Sequence, residues 1–180
     1  MDINELTKAL ADADLDRFRV LLESVGDVDT PYGEAEWPLS PKSILETVLL
    51  SSELYQLPDE TQLQFANVII SKSNNLTGND SLGGRLLIKL AKDGKYPSVQ
   101  ALIDAGVDPN FSTSDTHPLL EAIRSDNSRV LICLFELGSD AKVAEQVLKD
   151  NDFEWNTLRK WAKYKKSKQC DILLQAKGLK

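Results

Sequence analysis

The sequence predicts an all-helical chain assembled from short helical pairs, and three observations predict it. Residues 116–142, THPLLEAIRSDNSRVLICLFELGSDAK, read as two short apolar helices around a polar turn. Gly106 precedes Gly138 by 32 residues, and the same order of helix, turn, helix and glycine leads up to each. Every helix in this pattern is too short to be stable alone in water, so each pair needs a neighbour to cover its apolar faces.

Within 116–142, the turn Thr116-His117-Pro118 opens a helix from Leu119 to Ile123, and Ser125-Asp126-Asn127 breaks it. A second helix runs from Val130 to Leu137 and ends at Gly138, where positive φ is accommodated without strain. One repeat earlier, Leu86 to Ala91 forms a first helix, Asp93-Gly94 a turn, and Ser98 to Ala105 a second helix closed by Gly106. The tails Gly106-Val107-Asp108 and Gly138-Ser139-Asp140 align glycine on glycine and aspartate on aspartate.

A period of about 33 with this content resembles the ankyrin-repeat family. The likeness is carried by Pro118-Leu119 with Ala122, by Leu134-Phe135 before Gly138, and by Leu102-Ile103 before Gly106-Val107-Asp108-Pro109-Asn110. It implies an all-α, ankyrin-type helical repeat solenoid with degenerate N- and C-terminal caps. The expected organisation is one domain over 1–180, with units at about 1–29, 37–80, 82–113 and 114–142 and a helical cap at 143–180.

The remaining elements follow in order. Residues 6–29 read as a capping pair, with Leu6, Ala9, Leu10 and Ala13 on one stripe and Leu15, Phe18, Leu21 and Leu22 on the next. Asp14 is the expected cap of its second helix. Residues 30–41, TPYGEAEWPLSP, hold three prolines and read as a long finger loop. A helix is expected over 43–54 with Tyr55 turned inward, and another after Pro58, capped by Asp59 or Thr61. Residues 71–84, SKSNNLTGNDSLGG, read as a polar loop. In the cap, Trp155, Leu158, Trp161 and Ala162 are expected on one face and Arg159, Lys160, Lys163 and Lys166 on the other.

Charge is polarised along the chain. The net charge is −7, yet residues 1–60 carry fourteen acidic and four basic groups, net −10, whereas 142–180 carry ten basic and five acidic, net +5. An acidic N-terminal half repels phosphates, which speaks against nucleic acid as the main ligand, and attracts a basic protein. The start, Met1-Asp2-Ile3-Asn4-Glu5, has no basic segment followed by an apolar run, and no stretch reaches the ~18 apolar residues of a membrane span. A cytoplasmic protein without membrane contact is expected.

Motifs for chemistry fail on inspection. Cys133 and Cys170 fall on apolar faces without a neighbouring histidine and read as buried small hydrophobes, not as a disulfide or a zinc site. His117 has no serine–acid or cysteine partner at usable spacing. Asp12, Asp14, Asp16 and Glu23 imitate a calcium loop, but Arg17 stands where that loop needs glycine. No enzyme activity, metal, cofactor or small-molecule substrate is expected.

What the resemblance implies is a non-catalytic module binding a protein partner with a basic surface, the free chain being a monomer. Finger contacts would come from Tyr32, Glu34, Glu36, Trp37, Phe111, Asp115 and His117. Contacts on the first helices would come from Asp12, Thr47, Lys89, Lys92, Asp93, Glu121 and Arg124. A small acidic protein of this kind looks like an immunity protein, an antidote that neutralises a cognate bacterial toxin. Two alternatives stay open: an effector or adaptor capturing a target protein, and nucleic-acid or acidic-surface binding through the basic C-terminal helix.

Overall fold

The computed structural model describes residues 3–31, 42–78 and 81–179. Every regular element among them is helical: eleven α-helices, one 3-10 turn and a single isolated bridge between Pro31 and Ser43. The chain divides into two compact units, Met1–Leu76 and Thr77–Lys180.

The first unit holds α1 (Ile3–Ala11), α2 (Leu15–Glu23), α3 (Ile44–Leu49), a 3-10 turn (Leu54–Gln56) and α4 (Asp59–Ile70). Leu6, Ala9 and Leu10 bury one stripe of α1. Ala13 takes φ 54° in the turn, and the Asp14 carboxylate accepts the Arg17 N–H at 2.9 Å, capping α2 as expected. Phe18 of α2 meets Phe65 of α4 edge to face, ring centroids 5.0 Å apart, at the centre of this unit.

Two expectations fail here. The helix over 43–54 stops at Leu49, because the Tyr55 hydroxyl turns back to donate to the Leu49 carbonyl and Ser51 donates to Glu53. Neither Asp59 nor Thr61 caps α4; Pro58 is its N-cap residue, and the Gln62 amide donates to the Leu57 carbonyl at 2.6 Å.

The second unit holds α5 (Leu82–Lys92), α6 (Tyr96–Asp104), α7 (Pro118–Arg124), α8 (Ser128–Glu136), α9 (Ala141–Asp150), α10 (Leu158–Lys165) and α11 (Lys168–Ala176). Helix α7 packs between α5 and α10, and α8 packs between α6 and α11. Each pair turns through one left-handed residue, Gly94, Asp126 or Lys166, and ends on a glycine of positive φ, Gly106, Gly138 or Gly178. At each end the residue after the glycine donates five residues back: Val107 to Leu102, Ser139 to Leu134, Leu179 to Leu174.

The polar loop expected to reach residue 84 ends earlier. Ser81 caps α5 through its hydroxyl and the Gly84 N–H, which draws Gly83 and Gly84 into the helix. Gly84 is required there, since a Cβ would lie 2.3 Å from the Phe111 ring. Gly84→Ala should lower stability by about 1–3 kcal/mol through overpacking, read from urea unfolding. Adding Phe111→Ala should recover part of that loss; strictly additive effects would mean the two residues do not meet.

Candidate interaction surface

The loop ends of the second unit are tied pair to pair by side chains. Asp108 and Asp140 each accept the backbone N–H two residues on, at 2.8 Å, which shapes the two tails alike. The Asn110 side chain then accepts the Asp140 N–H at 2.7 Å and donates to the Gly138 carbonyl. In the first unit Asp27 makes the same local turn, and Asp29 stands where Asn110 does, accepting N–H groups of Asn74 and Asn75 at 2.7 and 3.0 Å. That pattern sets the register by the aspartate, so Val25 stands where Gly106 and Gly138 stand.

The expected contact residues divide by position. Tyr32, Glu34, Glu36 and Trp37 lie outside the described residues. Asp12 is exposed in the α1–α2 turn, 3.8 Å from Arg17, and Thr47 is half-buried on α3. Lys89 and Lys92 are exposed on α5, and Asp93 follows at its C-cap. Arg124 is exposed on the neighbouring helix α7, so these four side chains belong to two packed helices. Asp115 is exposed and accepts from the Thr113 hydroxyl, while Phe111 is half-buried against Gly84.

Two of those residues are interior. Glu121 is only 3% exposed; one carboxylate oxygen accepts from the Thr116 hydroxyl at 2.7 Å and lies 3.1 Å from the Arg124 guanidinium. His117 is 0% exposed and serves as the N-cap of α7, its Nδ1 accepting the Leu119 N–H at 3.1 Å. Their side chains position α7 and hold Arg124, and the accessible surface is carried by the others.

Burial pushes the His117 pKa down from 6.5 to about 4, against the opposing field of Asp108 and Asp140. Burial raises the thiols of Cys133 and Cys170 to about 11 and about 12, so both remain protonated at neutral pH. No group of three His, Cys, Asp or Glu among the described residues could hold a metal ion, and no described helix is long and apolar enough to cross a membrane.

No protein-family model matches the chain, and no curated protein matches it. Functional reading rests on the surface itself.

Sequence reasoning placed Trp155 with Trp161 on one face but missed Phe153, and the structure gathers both tryptophans, Phe153 and Tyr164 beside α10. Trp155 stacks on Tyr164 at 3.6 Å, Phe153 approaches Trp161 at 5.6 Å, and the Lys165 ammonium sits 4.5 Å from the Trp161 ring. The Trp161 indole N–H donates to the Leu120 carbonyl, which anchors α10 on α7. Phe153 and Trp155 precede α10 rather than lying on it, so Trp155 reaches the cluster from outside the helix, and only the chain's path brings Phe153 in. Arg159, expected on the open basic face, instead binds Asp171 of α11 at 2.9 Å.

The folded state holds His117 neutral, so its contribution to stability is complete above pH 6.5 and is lost as pH falls toward 4. The full loss is about 3 kcal/mol for a shift of this size. Urea midpoints measured across that window should fall steeply for the native chain. His117→Asn, which keeps a capping oxygen, should fall less; an equal slope would show that His117 titrates normally.

Proposed function

We propose that this chain is an ankyrin-type repeat protein that binds one protein partner without catalysis or cofactor, in a cytoplasm. The observation that carries the reading is the repetition in the second unit. Turn residues Gly94 and Asp126, tail glycines Gly106 and Gly138, and tail aspartates Asp108 and Asp140 each recur 32 residues apart. Repeats of that period with helical pairs and shaped tails form stacks whose first helices and loops carry the recognition residues.

On this reading the contact surface joins Lys89, Lys92, Asp93 and Arg124 to the loop residues Phe111 and Asp115. The finger residues Tyr32, Glu34, Glu36 and Trp37, outside the described residues, would supply further contacts. Aromatic anchors would supply most of the affinity, and the acidic N-terminal half would speed the approach of a basic partner. The role that best fits a small acidic module of this type is an antidote occluding a basic toxin.

Affinity capture from the native lysate tests the reading, using the native chain beside Trp37→Ala/Glu34→Lys/Glu36→Lys. A single basic protein should be retained by the native chain and lost at least about tenfold by the variant, as expected for removal of a binding anchor. One equivalent of the chain should then silence that partner's toxicity. Equal recovery by both proteins would move the contact away from the finger. A partner that stays active when saturated would instead mark an adaptor or effector.

A further inference from the structure

The last helical pair carries a surface that the preceding pair uses for stacking. The N-cap, turn and terminal glycine of α7/α8, His117, Asp126 and Gly138, match Thr157, Lys166 and Gly178 of α10/α11 at a constant offset of 40 residues. On α7/α8 the positions Leu119, Leu120, Ile123 and Leu131 are buried. Their counterparts are Arg159, Lys160, Lys163 and Asp171, of which Lys160 and Lys163 are exposed.

The contact on the earlier pair is specific. Ser167 donates to the Ile123 carbonyl, Cys170 donates its N–H to Asp126 at 3.0 Å, and Ser128 bonds Gln169. The equivalent place on the last pair is an open depression of about 260 Å³ lined by Ala162, Lys163, Lys166, Ser167, Lys168 and Asp171. Lysine has replaced aspartate at the turn, so whatever seats there must bring acceptors rather than helix N–H groups. Residues 157–180 hold eight basic side chains and one acidic, net +7, and that acid, Asp171, is bound by Arg159.

A complementary surface lies at the other end of the chain. Among the described residues the exposed large hydrophobic side chains are Val20 at 69%, Tyr164 at 46% and Ile172 at 69%. Val20 stands on α2, the second helix of the first pair, with exposed Asp16 and Glu23 one turn before and after it. Ile172 stands on α11, the second helix of the last pair, with exposed Lys168 one turn before it. Both arginines of α2 are already engaged, Arg17 by Asp12 at 3.8 Å and Arg19 by Asp16 at 3.4 Å.

We propose that the basic α10/α11 face docks on the acidic α1/α2 face of a second copy, so that chains associate head to tail. Ile172 and Val20 form the apolar centre, and Lys163, Lys166 and Lys168 face a helical pair that carries five acidic and three basic side chains over residues 3–23, net −2, with exposed Glu23 beside Val20. The two faces differ, so the contact is heterologous and adds chains head to tail, into a closed ring or an open chain. Its charge-paired rim makes it weak at high salt.

Sedimentation velocity on the full chain tests this, with a dilution series at low and at high salt. The native chain should associate beyond the monomer as concentration rises at low salt and stay monomeric at high salt. Val20→Arg and Lys163→Glu/Lys168→Glu alter exposed side chains and should keep the native thermal melt. Each alone should weaken association at least about tenfold, while an equimolar mixture should form a dimer and nothing larger, because each variant retains one intact face. The milder Lys163→Gln/Lys168→Gln serves the same arm if the charge reversal disturbs folding. A chain that stays monomeric when concentrated at low salt overturns the proposal, as does a mixture that stays monomeric. A monomeric chain that binds polyuridylate or phosphatidylserine vesicles through these lysines overturns it equally.

Discussion

Lateral packing of one helical pair on the next is the constraint on which the second unit depends. Its helices run from seven residues in α7 to eleven in α5, lengths at which nucleation cost outweighs propagation in isolation. Stability must come from neighbours, and the neighbours are joined by both apolar and polar groups. Leu119, Leu120, Ile123 and Leu131 are buried on α7 and α8. The groups that helix ends leave unpaired are taken up across pairs: Asn127 donates to the Lys92 carbonyl, Asp126 accepts from Cys170, and Ser167 donates to the Ile123 carbonyl.

Those cross-pair bonds explain why the turn residue changes identity along the chain. Gly94 has no side chain because the Asn127 amide occupies that space, a Cβ there lying 2.7 Å from its oxygen. Asp126 accepts a left-handed backbone at φ 54° and uses its carboxylate on the N-terminus of α11. Lys166 holds the same conformation at the last pair, where no described helix follows, and its charge changes the chemistry of that end. One backbone geometry therefore carries three different side-chain tasks.

Legibility differed between local and distant features. The Asp14 cap, the terminal glycines and the burial of both cysteines follow from signals within a few residues, and the helices around them lie where apolar spacing puts them. The early end of α3 and the early start of α5 were hidden. Tyr55 reaches back to Leu49, and Phe111 reaches Gly84 from 27 residues away, contacts that no local window contains. Glu121 and Arg124 looked alike as exposed polar positions of one helix. Burial separates them, since Glu121 is enclosed with Thr116 whereas Arg124 stays at the surface.

The sequence by itself determined the helical class, the 32-residue period, the turns of the two clear repeats, the Asp14 cap and the opposed charge of the two ends, because each depends on neighbours in the chain. Only the tertiary structure decided which polar side chains remain available. It buried His117 with its pKa near 4 and tied Arg159 to Asp171. It also left Val20 and Ile172 uncovered on the first and last helical pairs. The reason is physical: periodicity ranks the faces of a helix, but exposure depends on which helix arrives to cover each face, and that is settled by contacts far apart in sequence.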